Sequence, residues 1–192
     1  MKKMLTSMLL LCTAVTVILQ AQSNIPKGFS KGSVVLPGNA VLPGYIKDNM
    51  RSGAAVVFIA GGTEKKTNYM ASELLAVQID STSFLCLQGD FFRVISDGEL
   101  CFIQKASNAS GKPVYNGTEA IFVKGTEGQI NDYFFYDRPQ QQLKLLTKKN
   151  RQEMVAGVFT NCAAAVAKAG ETGSDLAQLR AAVDIYNHRK EK

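Results

Sequence analysis

The single histidine of the chain, His188, limits the catalytic chemistry that the sequence can support. Nucleophilic catalysis of the Ser-His-Asp or Cys-His kind would have to use it, and the only nearby thiol is Cys162. His188 lies close to the C-terminus, where a base is hard to hold in register, and Cys162 falls on an apolar helical stripe, where a thiol is usually buried and inert. There is no Cys-x-x-Cys motif, and one histidine cannot supply a zinc site. We therefore expect no catalytic, metal-binding or cofactor-binding residue of these kinds.

Carboxylate pairs are the remaining route to acid and base catalysis. Asp97 is close to Glu99 in the sequence, and Asp132 is close to Asp137. Two carboxylates can serve as general acid and general base in hydrolysis, but each of these lies at a predicted turn or strand end, where acidic residues are common. The segment 61–67 follows a buried strand but lacks the glycine directly before Lys-Thr that a phosphate loop requires. A non-catalytic protein is expected, with a hydrolase using a carboxylate pair as the alternative.

Basic residues are concentrated near the C-terminus of a chain whose formal charge is +6. One cluster precedes the first predicted helix and is the candidate contact for an anionic partner; it consists of Lys144, Lys148, Lys149 and Arg151. A second cluster contains Arg189, Lys190 and Lys192. Anionic lipid, polysaccharide or a protein would fit the first cluster, and a solvated helix start is the alternative. Nucleic acid is not expected, because the clusters lack interleaved aromatic residues that could stack on bases.

Three cysteines follow the N-terminal apolar segment, namely Cys86, Cys101 and Cys162. The predicted hairpin register places Cys86 opposite Phe91. It places Cys101 opposite Val94, so the two thiols lie two strands apart, beyond the reach of a disulfide. All three thiols are predicted to be free and structural.

The segment from about Ser33 to Leu146 is predicted to form short strands separated by turns. These strands must position the side chains discussed above. Four turn signals predict four consecutive hairpins: Gln88-Gly89, Asp97-Gly98, Asn116-Gly117 and Glu127-Gly128. The continuous apolar run Ala54–Ala60 predicts a buried strand. Two further tight turns are predicted at Pro37-Gly38 and Pro43-Gly44.

The hydrophobic period changes after Leu146. Asn150 with Glu153 three residues later predicts a helix start, and one helical stripe then contains Val155, Val158, Phe159, Cys162 and Val166. A break at 170–173 and a cap at Ser174 predict a second amphipathic helix. The expected fold class is α+β, an antiparallel β-meander sheet or barrel followed by a C-terminal helical hairpin that packs on it.

The N-terminus has the order of a secretory signal peptide. Lys2 and Lys3 precede the uncharged run 4–19, and Ala21 offers a cleavage site, with a retained anchor as the alternative. No later stretch approaches the ~20 apolar residues needed to span a bilayer, so no transmembrane span is expected in the mature chain. The predicted organisation is a signal peptide at 1–21, a flexible leader at 22–32, a β-meander at 33–146 and a helical hairpin at 147–192. The last two form one domain.

Three segments carry a likeness to a known family: residues 68–80 (NYMASELLAVQID), 91–105 (FFRVISDGELCFIQK) and 159–187 with its FTNC, SDL and IYN elements. They resemble uncharacterised exported β-rich proteins of Bacteroidota, which have a β-meander and a C-terminal helical pair. The resemblance implies an envelope location and a β-sheet with a helical tail, and it brings no catalytic residue. Phe159, Cys162, Tyr186 and Asn187 match the pattern and look structural.

The combined expectation is an exported, non-catalytic protein of the cell envelope. It would lie in the periplasm or on the outer-membrane surface, or be secreted. Its partner would be an unidentified ligand, a surface polymer or another envelope protein.

Overall fold

The computed structural model describes residues 25–111, 113–116, 119–122, 125–171 and 176–189. The predicted signal peptide, Gly117 of one predicted turn, the predicted cap Ser174 and Lys190 with Lys192 lie outside the described residues. The strands are β1 (Ser30–Val35), β2 (Val41–Asn49), β3 (Ala55–Ala60), β4 (Lys66–Met70), β5 (Ala76–Ile79), β6 (Thr82–Leu87), β7 (Asp90–Ser96), β8 (Leu100–Lys105), β9 (Pro113–Asn116), β10 (Glu119–Phe122), β11 (Tyr133–Asp137) and β12 (Gln142–Leu146). The helices are α1 (Met50–Gly53), α2 (Arg151–Val158), α3 (Ala163–Gly170) and α4 (Leu176–Asn187), and a short 3₁₀ turn spans Ala71–Glu73.

Ten of the strands form one antiparallel sheet in the order β12-β11-β8-β7-β6-β5-β1-β2-β3-β4. Strands β1 to β4 form one meander, and the chain then returns so that β5 pairs with the free side of β1. In the described part of the chain β12 and β4 each pair on one side only, so the sheet is open. The predicted α+β class, with an antiparallel meander sheet and C-terminal helices, is confirmed. Strand β1 begins at Ser30, inside the segment predicted as a leader.

The predicted hairpin at Gln88-Gly89, which joins β6 to β7, is confirmed. Both residues have positive φ angles, 51° and 86°, as a two-residue hairpin turn requires. Cys86 pairs with Phe91, as the register predicted.

The hairpin between β7 and β8 has a different register from the predicted one. Val94 pairs with Ile103, not with Cys101, and a β-bulge lies between Val94 and Ser96. The reason lies in the last residue of α4, Asn187. Its side-chain oxygen accepts from the Leu100 N–H (3.0 Å), and its side-chain nitrogen donates to the Leu100 carbonyl (2.9 Å). Asn187 thus takes the hydrogen bonds that a tight hairpin would have formed across the strands.

Gly98 makes room for this contact. Its φ angle is 153°, and a Cβ there would lie 2.3 Å from the side-chain nitrogen of Asn187. Asn187 also donates to the Asp97 carbonyl (3.1 Å), and Ser96 donates a short hydrogen bond to Asp184 of α4. These contacts fix the C-terminal end of α4 to the β7–β8 turn.

Two predicted turns are wrong. The Pro43-Gly44 pair lies inside β2, where Gly44 pairs with both Gly32 and Ala60. A Cβ at Gly44 would lie 2.1 Å from the carbonyl oxygen of Ile59, so glycine serves close strand packing there. Near Glu127-Gly128 there is a loop instead of a hairpin.

Strand β11 pairs with β8 and β12. Within the described ranges, β9 and β10 pair with each other in a separate two-stranded sheet. Strands β9 and β10, which we call the β9–β10 arm, form the third predicted hairpin. The fourth predicted hairpin, between β10 and β11, does not form, because β11 pairs with β8. Periodicity cannot reveal this, because it gives no information on which strand a given strand pairs with.

The predicted first helix is divided into α2 and α3. Phe159 ends α2, and the Thr160 hydroxyl donates back to the carbonyls of Ala156 and Gly157, both at 2.8 Å. Gly157, Thr160 and Asn161 have poor helix propensity, which allows the break. As a result Phe159 is fully buried whereas Val166, predicted on the same stripe, is exposed. Helices α3 and α4 pack together as the predicted helical hairpin.

Three apolar clusters hold the fold. The first lies against β1 to β6 and includes Val34, Phe58 and Phe84. The second lies between the helices and β8 and β11; its buried members are Leu100, Phe102, Phe135, Val155, Phe159, Ala165, Ala169, Leu179, Ala182 and Val183. The third occupies the opposite face of β7, β8 and β11 because side chains alternate along a strand, and it consists of Phe92, Cys101, Ile103 and Phe134. The helices are therefore part of the core.

The cysteines Cys86, Cys101 and Cys162 are all free, as predicted. Burial raises the pKa of the Cys86 thiol to about 12 and that of Cys101 to about 11. Both are therefore protonated at neutral pH and poor nucleophiles.

Candidate functional site

A groove runs between the β11–β12 hairpin and the C-terminal helices. The hairpin contributes Asp137 at the end of β11, Gln140 in the turn and Lys144 in β12. The opposite wall comes from the second half of α2 and the turn that follows it, and Tyr186 of α4 lines the groove as well. The turn after α2 contributes Thr160 and Asn161 to this wall.

The centre of the groove is a cavity of about 190 Å³. Its wall consists mainly of polar atoms, from side chains that include Asp137, Gln140, Lys144, Thr160 and Asn161. Its apolar lining comes from Leu100, Phe135, Val158 and Tyr186, with Gly157 beside them. These side chains belong to the second apolar cluster or border it, so the cavity has a rigid base.

The cavity opens into a recess at each end. Toward the start of α2 it shares Lys144, Gly157 and Val158 with an open recess of about 390 Å³ that also contains Met154 and Glu153. Toward the end of α4 it shares Leu100, Asp137, Gln140 and Tyr186 with a second recess of about 190 Å³. The adjoining parts share lining residues, and we call the cavity with its two recesses the helix–sheet groove.

Most polar side chains of the central cavity have unused hydrogen-bonding capacity. In the described part of the chain, the side chains of Gln140, Lys144 and Asn161 form no hydrogen bond or ion pair with the protein. The Thr160 hydroxyl donates to carbonyls of α2, and its oxygen can still accept a hydrogen bond from a ligand. The cavity therefore offers two amides, an ammonium group and a hydroxyl oxygen.

Arg189 and Glu99 close one end of the groove. The Arg189 guanidinium lies 3.7 Å from the centroid of the Tyr186 ring and donates to the Tyr186 carbonyl at 2.6 Å. It also forms an ion pair with Glu99 at 3.0 Å. This end of the groove is fixed by internal contacts, whereas its centre is free to bind.

The structure separates the four basic residues predicted to contact an anion. Lys144 lies on β12 opposite Phe135, half-buried, and lines the groove. Lys148 and Lys149 are exposed in the turn before α2, and Arg151 is the first residue of α2. Only Lys144 of this set belongs to the groove.

The carboxylates considered for acid and base catalysis have structural partners. Asp97 forms an ion pair with Arg138 at 2.7 Å, and Glu99 pairs with Arg189. Asp132 accepts from the Gln129 N–H at 2.7 Å. Asp137 likewise accepts from the Gln140 N–H at 3.0 Å. Glu99 and Asp137 do line the same recess, which sequence spacing alone did not indicate.

The other candidates for chemistry lie apart from the groove centre. His188 is exposed, with its Nδ1 2.7 Å from the Asp184 carbonyl oxygen. Cys162 packs against the second apolar cluster. Among the residues that the structure describes, no group of three or more histidine, cysteine or acidic side chains could hold a metal ion.

One charged pair that sequence reasoning missed is buried completely. Lys105 of β8 and Asp90 of β7 lie 3.3 Å apart, and both side chains are 0% exposed. The Lys105 ammonium group also donates to the carbonyls of three successive loop residues, Thr126 (2.7 Å), Glu127 (3.1 Å) and Gly128 (3.2 Å). A signal existed in the sequence, since Lys105 continues the buried alternation of Cys101 and Ile103.

Asp90 completes this network on the other side. It accepts from the Ser107 hydroxyl (2.8 Å), the Ala109 N–H (2.7 Å), and the Thr126 N–H (2.9 Å) and hydroxyl (2.7 Å). Burial raises the pKa of Asp90, but the hydrogen bonds from Thr126, Ser107 and Ala109 outweigh burial, so the net pKa lies below its usual value. The pair thus ties together the loops on both sides of the β9–β10 arm. It is enclosed and fully satisfied, so its role is structural.

Comparison with known proteins gave no match: no protein-family model, no curated protein and no solved structure is significantly similar to this chain.

Proposed function

We propose that the protein is an exported, non-catalytic binding protein of the cell envelope, and that its helix–sheet groove holds a segment of a glycan. The observation that carries the proposal is the unpaired polar lining of the central cavity, formed by Gln140, Lys144 and Asn161. Binding sites for small polar groups combine a rigid base with a few polar side chains that fix orientation. This cavity has both features.

The mixture of groups in the groove favours a sugar over a purely anionic or apolar ligand. Sugar hydroxyls donate and accept, and they match amide side chains such as Asn161 and Gln140, which also do both. The recess beside Met154 and Val158 is more apolar and suits the C–H face of a sugar ring. Because an open recess continues the cavity toward the start of α2, the groove can accept a chain that extends past the bound unit on that side.

A hydrolase is the alternative, and the presence of Glu99 and Asp137 in one recess is the observation that favours it. The contacts of these residues support binding more strongly. The Glu99 carboxylate is paired with Arg189, and Asp137 accepts a backbone hydrogen bond within its own turn. Both carboxylates are thus engaged by groups of the protein itself, which favours a structural role for them.

The binding proposal is tested with a panel of neutral and acidic oligosaccharides of four to six sugar units and with peptides of similar length. We expect at least one oligosaccharide to bind, and an Asn161→Ala/Lys144→Met variant to bind it about tenfold more weakly or worse, because unpaired ligand hydroxyls are costly. A Lys149→Met variant outside the groove is the matched control. Binding of peptides alone, or equal binding by all three proteins, would contradict the proposal, and shortening of the oligosaccharides would support the hydrolase.

Export is proposed from the basic start, the apolar run 4–19 and Ala21, in signal-peptide order. None of the helices in the described part of the chain is long and apolar enough to cross a bilayer. N-terminal sequencing of the protein recovered from the envelope fraction should begin after Ala21. Recovery of the chain from the cytoplasm with Met1 in place would overturn the export proposal without affecting the groove.

A further inference from the structure

A different recess, which does not belong to the helix–sheet groove, lies between the β5–β6 turn, β7 and α4. It is open, with a volume of about 470 Å³, and its polar lining consists of Ser81, Thr82, Ser83, Arg93, Asp97 and Arg180. None of these residues lines the groove. Two arginines and three adjacent hydroxyl side chains therefore share one concave surface.

Both guanidinium groups are available to a ligand. Arg93 is exposed and donates once, to the Gln104 side chain at 2.7 Å, which leaves most of its five N–H donors unused. Arg180, exposed on α4, has no hydrogen bond or ion pair with any residue that the structure describes. Asp97, the acidic residue of the recess, is already paired with Arg138 at 2.7 Å. The positive charge of the recess is therefore not neutralised by the acid beside it.

The hydroxyl groups add neutral donors beside the two cations. The Ser83 hydroxyl donates to the side-chain oxygen of Gln78 at 2.5 Å. The side chains of Ser81 and Thr82 form no hydrogen bond with any described residue. The planar guanidinium group of arginine can donate two parallel hydrogen bonds to two oxygens of a tetrahedral oxyanion. Such charge-assisted hydrogen bonds are stronger than those between neutral groups. Neighbouring hydroxyls can donate to the oxygens that remain.

We propose that this recess binds a phosphate or sulfate group, either free or as an ester on a polymer. The inference is independent of the glycan proposal, since the two surfaces share no lining residue. It also differs from the basic cluster expected from the sequence, because Arg93 and Arg180 are far apart in the chain and are brought together by the packing of α4 on the sheet.

The experiment measures binding of dextran sulfate, uncharged dextran, inorganic sulfate and inorganic phosphate to the full chain. An Arg93→Gln/Arg180→Gln variant should bind dextran sulfate at least about tenfold more weakly than the parent, because both guanidinium groups are lost. The matched control, Lys65→Gln/Lys66→Gln, removes the same charge from exposed positions outside the recess and should retain near-parental binding. Since Arg93 and Arg180 are exposed, both variants should unfold at the parental temperature.

The small anions distinguish the two sources of the group. Competition by inorganic sulfate or phosphate would indicate a site for the free ion, and binding of the polymer alone would indicate an ester. Equal weakening by both double variants would show attraction to net charge only and would overturn the proposal. Loss in a Lys148→Gln/Lys149→Gln variant with none in the arginine variant would also overturn it.

Discussion

Replacing Lys105 with methionine should lower the free energy of unfolding by about 3 to 5 kcal/mol, the usual cost of removing one partner from a buried ion pair. Methionine fills similar space but leaves the Asp90 carboxylate charged without its cation. It also leaves the carbonyls of Thr126, Glu127 and Gly128 without their donor. The measurement is chemical denaturation of the parent and variant, comparing midpoints at an unchanged slope.

Two further variants identify the cause of that loss. Lys31→Met makes the same substitution at an exposed position of β1 and should change the free energy by no more than about 0.5 kcal/mol. Asp90→Asn/Lys105→Met removes both charges and should be less destabilising than Lys105→Met alone, because no uncompensated charge remains buried. A loss below about 1 kcal/mol for Lys105→Met would mean that the pair is hydrated and not enclosed.

Replacing Phe159 with alanine should lower the free energy of unfolding by about 3 to 5 kcal/mol, the range for a buried phenylalanine. Phe159 is 0% exposed, and its ring centroid lies 5.9 Å from that of Phe135 on β11 and 5.6 Å from that of Tyr186 on α4. It therefore joins the sheet to α4 at the point where α2 ends. The same denaturation measurement gives the result.

Val166→Ala is the control for this prediction and also tests the helix break. Val166 falls on the same sequence stripe as Phe159, but it is 37% exposed in the structure. Its truncation should therefore cost far less than that of Phe159. Similar losses for the two variants would indicate one continuous helix with both side chains in the core.

Local sequence signals predicted the elements of this fold well but not their partners. The Gln88-Gly89 turn and the apolar run of β3 depend on neighbouring residues, and both are confirmed. The register at Cys101 could not be predicted, because it depends on Asn187, which reaches the β7–β8 turn from the far end of the chain. The pairing of β11 with β8 also could not be predicted, because β9 and β10 lie between these two strands in the sequence.

The groove was less predictable than the fold for the same reason. Lys144 was recognised as a candidate, but only as one of a basic cluster, and neither Gln140 nor Asn161 was singled out. These side chains are ordinary for a turn, and their importance comes from the long-range packing that brings Asn161 and the β11–β12 hairpin to the same groove. The buried Asp90 and Lys105 pair had a local signal, the charge on an alternating apolar strand, but its function depends on the distant loop at Thr126.

The central claim, that the helix–sheet groove binds a glycan, is tested most directly by following the backbone amide signals of isotopically labelled protein during titration. The titrants are a pool of oligosaccharides and, separately, a pool of peptides of similar length. Oligosaccharides should shift the amide signals of Gln140, Lys144, Asn161 and Tyr186, and leave those of the Arg93 and Arg180 recess unchanged. A response to peptides alone, or shifts confined to residues outside the groove, would contradict the claim.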